Sequence, residues 1–148
     1  MTRISIVDLA KQVATEAGWD GTKNAKNRKF LSDLKDLIDA WDDASFKSIE
    51  AFIDGYCVLQ TDETWQKMVC FVIARQPEDI SRLKERFNAQ TLCILRPSVE
   101  SAEMSNHADA EVLNFSYDYY IINEAGLDEL RKKAEDFVKE ILENGTDY

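Results

Sequence analysis

Four basic residues, Lys23, Lys26, Arg28 and Lys29, cluster just before and within the first long helical segment. A helix opening on such a cluster can hold a phosphate with backbone N–H groups and a cation acting together. A solvated helix end has the same spacing. Two further arginines stand where strands should end: Arg75 follows the apolar run 68–74, and Arg96 follows 91–95. Ligands of open parallel sheets collect outside the strand carboxyl ends, and the planar guanidinium fork suits phosphate. A pair of surface salt bridges would occupy the same two positions. His107 is the one histidine, with Asn106, Asp109 and Glu111 near it in the chain. Acid–base work is within its chemistry. With no further ligands at metal spacing and no marked Ser or Cys partner, a loop histidine bonded to its neighbours is the plainer reading.

The phosphate-loop pattern G-x-x-x-x-G-K-[ST] does not occur; Gly18-Trp19-Asp20-Gly21-Thr22-Lys23 imitates it only faintly. Nothing else in the sequence offers a glycine-rich cradle for the β- and γ-phosphates of a triphosphate. Ile73-Ala74-Arg75 stands where a magnesium-binding aspartate would be sought. Trp19, Trp41 and Trp65 have faces that could stack a base, but core packing is the default for such side chains. Cys57, Cys70 and Cys93 lie in apolar company without C-x-x-C spacing, which predicts buried thiols in a reducing compartment.

These residues need elements to hold them. Arg3 to Val7 alternates like a short strand, and Asp8 starts a helix with Leu9, Val13 and Ala17 recurring until Gly18. Phe30, Leu31, Leu34, Leu37, Ile38 and Trp41 mark one face of a long helix, with Lys29, Asp33, Lys35, Asp36 and Asp39 filling the rest. Phe46, Ile49 and Ile53 mark another. The unalternating run 68–74 reads as a strand buried on both faces. Pro77, Glu78 and Asp79 open a short helix carrying Ile80, Leu83 and Phe87, and 91–95 is a second buried strand. Strand, helix and strand in so short a span form a βαβ crossover, for which a right-handed parallel connection is expected. Residues 96–116 are polar and irregular, and a connection of that length usually has a functional reason. Tyr119 to Ile122 is the last strand, before a closing helix with Leu127, Leu130, Ala134, Phe137, Val138 and Ile141 inside. The expectation is one α/β domain over residues 1–148, with a mostly parallel sheet of about four strands flanked by helices.

Composition bounds the partners. The 148 residues include 45% hydrophobic ones, enough for a sizeable core, and no apolar run long enough to span a bilayer. The formal charge of −10 would repel nucleic acid overall, while leaving room for a local basic pocket. A cytoplasmic chain without a signal peptide, a membrane or a nucleic-acid partner is expected.

Several stretches taken in order resemble bacterial and phage deoxynucleoside monophosphate kinases and adenylate-kinase-like proteins, over nearly the whole chain. They are Gly18-Trp19-Asp20-Gly21 with Arg28 to Lys35; Arg75 to Ile80; Ser105-Asn106-His107-Ala108-Asp109; and Tyr119 to Asn123 with Gly126 to Leu130. The resemblance implies a P-loop kinase fold and phosphate transfer from ATP to a nucleoside monophosphate. It implies that Arg28, Arg75 and Arg96 approach the acceptor phosphate, that Lys29, Asn106 and His107 line the acceptor site or lid, and that 96–116 is lid-like. In the family's pattern this chain starts at the second strand, without the glycine-rich loop, and it lacks the central-strand aspartate. Phosphoryl transfer depends almost wholly on positioning and charge stabilisation. The expectation is therefore a non-catalytic module that binds a nucleoside monophosphate or a partner and requires no cofactor. Two alternatives stand beside it. One is a part of an active kinase, using ATP and Mg, whose loop lies upstream or on another chain. The other is a small acidic interaction module with a protein partner, or a second copy, at an exposed sheet edge.

Overall fold

A computed structural model describes residues 1–58, 69–97 and 112–144. The chain divides at Arg75 into two compact units. Both are mixed α/β, and each contains one pair of parallel strands.

In the first unit β1 (Thr2–Ser5) is followed by α1 (Asp8–Glu16), α2 (Ala25–Asp42), α3 (Ala44–Val58) and β2 (Cys70–Ile73). Thr2 lies opposite Cys70 and Ser5 opposite Ile73. The ladder is closed at its ends by Thr2 N–H to Val69 O and Ile6 N–H to Ile73 O, both 3.0 Å. Asp8 starts α1 as its sequence position suggests, but the buried side of that helix is Ala10 and Ala14, while Val13 is exposed. Small residues let α1 approach its neighbours closely, so the larger Val13 is turned outward. Ile6, Phe46 and Ile49 are the other buried apolar residues among those described in this unit.

The second unit runs α4 (Pro77–Phe87), β3 (Leu92–Leu95), a 3₁₀ turn (Val112–Asn114), β4 (Tyr119–Ile122) and α5 (Leu127–Asn144). Leu92 pairs with Tyr119 and Leu95 with Ile122, in parallel. Ile80, Leu83, Cys93 and Ile121 are its buried apolar residues. The Tyr119 and Phe137 rings meet edge to face at 5.2 Å, and Lys133 Nζ donates to Ile122 O at 2.7 Å, docking α5 on β4.

Several expectations about burial are corrected. β2 is not covered on both faces: Cys70 and Ile73 are exposed. In β3, Cys93 is buried but Ile94 is exposed. Strands paired in twos leave a face open that a wide covered sheet would not. Of Cys70 and Cys93, only Cys93 is buried; Cys57 is among residues whose side chains lie outside the description. Ala134 and Leu127, expected inside, are exposed on α5. On α2 the single buried residue is Lys35, which the pattern assigned to solvent, while Phe30, Leu37 and Trp41 are exposed. Lys35 Nζ is held 2.9 Å from Asp39 Oδ2 one turn later, so its charge is buried with a partner. No helix among the described residues is long and apolar enough to cross a membrane.

Candidate phosphate site at the start of the long helix

The chain between α1 and α2 is a built loop. α1 ends with Gly18 at φ +95°, its N–H bonded to Thr15 O, and Trp19 N–H returns to Ala14 O at 2.8 Å. That reversal needs a left-handed residue, which glycine supplies without a Cβ penalty. Asp20 Oδ1 then accepts from the Thr22 N–H at 3.0 Å and from its hydroxyl at 2.8 Å. These two bonds, the backbone one first, hold the Asp20 carboxyl below its usual range. Asn27 Nδ2 donates to Thr22 Oγ1 and to Thr22 O, and Trp19 Nε1 donates to the same carbonyl. Asn24 caps α2, its Oδ1 taking the Asn27 N–H at 2.8 Å. Asn24 was legible as an asparagine just before a helical run. The Thr22 knot, made of short-range side-chain bonds, leaves no periodic trace.

This loop delivers Lys23, Lys26, Arg28 and Lys29, all exposed, to the opening of α2. No acid stands in the first turn of α2. The helices that follow strands in the chain differ. Asp8 opens α1, Glu78 and Asp79 open α4 behind Pro77, and Asp128 and Glu129 open α5. An acid in the first turn already uses the positive end of the helix dipole and repels phosphate. At α1 the exclusion is explicit, because Asp8 Oδ2 takes the Ser5 N–H at 2.9 Å and Oδ1 pairs with Lys11 at 2.7 Å. Burial pushes the Asp8 carboxyl up, but Lys11, the Ser5 amide and Arg3 outweigh it and hold the group below its usual value. It is therefore ionised at neutral pH. The connection from β1 to α1 is only Ile6-Val7, too short for an amide nest around a polyphosphate. Pro77 removes another N–H from the opening of α4. Carboxylates thus stand in the first turn of each described helix that follows a strand in the chain. No group of three or more His, Cys, Asp or Glu among the described residues could hold a metal ion.

Arg28 lies in the first turn of α2, with its N–H bonded to Asn24 O at 3.0 Å, and Arg75 lies two residues past β2; both are exposed and both belong to the first unit. Lys29 Nζ is 2.5 Å from Asp33 Oδ2 on an exposed face, an ion pair weak enough to yield to a ligand. Arg96, exposed and one residue past β3, belongs to the second unit. Asn106 and His107 lie outside the described residues, as does most of the expected lid-like stretch 96–116.

One polar centre in the second unit was not foreseen. Asp118 receives Lys84 Nζ at 2.6 and 2.9 Å, the Thr91 N–H at 2.9 Å and the Thr91 hydroxyl at 2.8 Å, while its own N–H donates to Thr91 Oγ1. Lys84 first, then the two Thr91 donors, lower the Asp118 carboxyl to about 2. The arrangement ties α4 to the starts of β3 and β4. A carboxylate so satisfied is a structural clasp rather than a base. Comparisons of the chain with protein-family models, curated proteins and solved structures gave no match.

Proposed function

We propose that this chain is a nucleotide-kinase-like α/β domain that binds a nucleoside monophosphate without a triphosphate site of its own, and so transfers no phosphate alone. The phosphate sits at the opening of α2, held by Arg28 and Lys29, with Arg75 as the second cation. The contrast among helix starts carries the reading. Helices that follow strands open on carboxylates, whereas α2 opens on cations behind a pre-formed loop. A single phosphate monoester needs one such opening and one or two guanidinium groups. A triphosphate also needs a ring of amides and a metal, and the carboxylates stand where these would be.

A thermal-melting screen over mono-, di- and triphosphates tests this. A monophosphate at about a hundredfold excess over its dissociation constant adds ~2.7 kcal/mol to stability, which for a chain of this size raises Tm by about 5–10 °C. Arg28→Ala and Arg75→Ala should each reduce that shift. Equal shifts in wild type and both variants would remove the site from α2.

A further inference from the structure

We propose that α2 is also a dimerisation helix, pairing antiparallel with α2 of a second copy of this chain. Phe30, Leu34, Leu37 and Trp41 are spaced four, three and four residues apart, which is the heptad seam of a helix pair. At 100° per residue they fall within about 60° of the helix circumference. Phe30 is 41% exposed, Leu37 68% and Trp41 86%, while Leu34 is half-buried, so among the described residues this seam is left open. The core side of the helix is a different one, where Lys35 is buried.

The occupant is read from symmetry and charge. A two-fold axis at the middle of the seam sets Phe30 against Trp41 of the other copy and Leu34 against Leu37, so the stripe is complementary to itself. Apart from the buried Lys35, charge along α2 and its flanks is segregated: Lys23, Lys26, Arg28 and Lys29 gather at its start, and Asp33, Asp36, Asp39, Asp42 and Asp43 follow. Antiparallel pairing lays the basic end of each helix beside the acidic end of the other, and opposes the helix dipoles favourably. Parallel pairing would set like against like. The Lys29–Asp33 and Lys47–Asp42 ion pairs are exposed and can be shared with the second copy. Trp41 alone contributes about 200 Å² of surface.

The test is sedimentation equilibrium of the full chain across a concentration series. Wild type should read twice the chain's 17.0 kDa. Leu37→Glu and Trp41→Glu should each read 17.0 kDa with unchanged far-ultraviolet helicity, since both side chains are exposed in the single chain. Lys26→Glu with Lys29→Glu, which leaves the apolar seam intact, should raise the dimer dissociation constant by placing acid beside acid. In a parallel pair that exchange replaces one like-charge contact by another and changes little. A mass of 17.0 kDa at every concentration overturns the proposal, whatever other segment covers the seam. So does a dimer indifferent to both apolar substitutions, and a dimer indifferent to the charge exchange overturns its antiparallel sense. None of these outcomes depends on nucleotide binding.

Discussion

Removing the carboxylate of Asp39 while leaving Lys35 in place should be among the most damaging single changes in the first unit. The Lys35 side chain is 9% exposed and that of Asp39 21%, with Nζ and Oδ2 2.9 Å apart. Asp39 Oδ1 also accepts the Ser45 N–H at 2.9 Å, at the start of α3. Breaking a buried ion pair by deleting one partner costs about 3–5 kcal/mol, because the survivor stays desolvated. The partial exposure of Asp39 puts the ionic loss near the low end, and the Ser45 amide loses its acceptor in addition, so Asp39→Ala should cost about 3–4 kcal/mol. In this chain that is a fall in Tm of about 6–16 °C. Lys35→Met is a different perturbation. It keeps the volume, and it leaves a carboxylate that still receives the Ser45 N–H and reaches water, so its cost should stay near 1 kcal/mol. In the double variant no buried ammonium is stranded, and its loss should fall short of the sum of the two singles by about 2 kcal/mol. Urea denaturation followed by far-ultraviolet circular dichroism measures all four proteins. Additive losses, or an Asp39→Ala as stable as wild type, would refute the claim that Lys35 is a desolvated charge held by Asp39.

Other expectations are independent of that pair. The folded-state pKa of Asp118, about 2 against 3.8 for the free group, lies below the unfolded value, so its stabilisation is complete above about pH 4 and is lost as pH falls through about 2. The side chains of Lys84 and Asp118 are 44% and 35% exposed, so screening reduces the effect to about 1 kcal/mol; Asp118→Asn should flatten the acid limb of a stability-versus-pH curve by that amount. An unchanged limb would assign the acid sensitivity to other carboxylates. Asn24→Ala removes the cap on the Asn27 N–H and should cost ~1 kcal/mol in chemical denaturation. It should also weaken monophosphate binding by loosening the loop that presents Arg28. The Ser45 hydroxyl is buried without a hydrogen-bond partner among the described residues, so Ser45→Ala should leave stability unchanged or raise it by up to about 1 kcal/mol. A clear loss would show that the hydroxyl has a partner.

Helices and strands were legible where local patterning dictates them. The Asp8 start, the Pro77 opening with its two acids, and the β-branched or aromatic run at 119–122 fall where capping and alternation put them. Which side of an element would be covered was less legible, because burial depends on neighbours distant in the chain. The apolar stripe of α2 is visible in the sequence, but the buried Lys35 depends on Asp39 one turn on and on the packing of α2 against α1 and α3. Cys70 looks buried because its neighbours are apolar; one partner strand leaves it open. Asp118 carries no local signal, since its partner Lys84 is 34 residues away. The basic opening of α2 was readable as a cluster. Its distinction from the other helix starts becomes clear only when strands and helices are joined in order.

The most direct measurement is a calorimetric titration of the full chain with a nucleoside monophosphate and, separately, with magnesium ATP. The account predicts saturable one-to-one binding of the monophosphate, lost in Arg28→Ala and Arg75→Ala, with no binding of magnesium ATP. Saturable magnesium ATP binding, or binding of neither ligand, would contradict it.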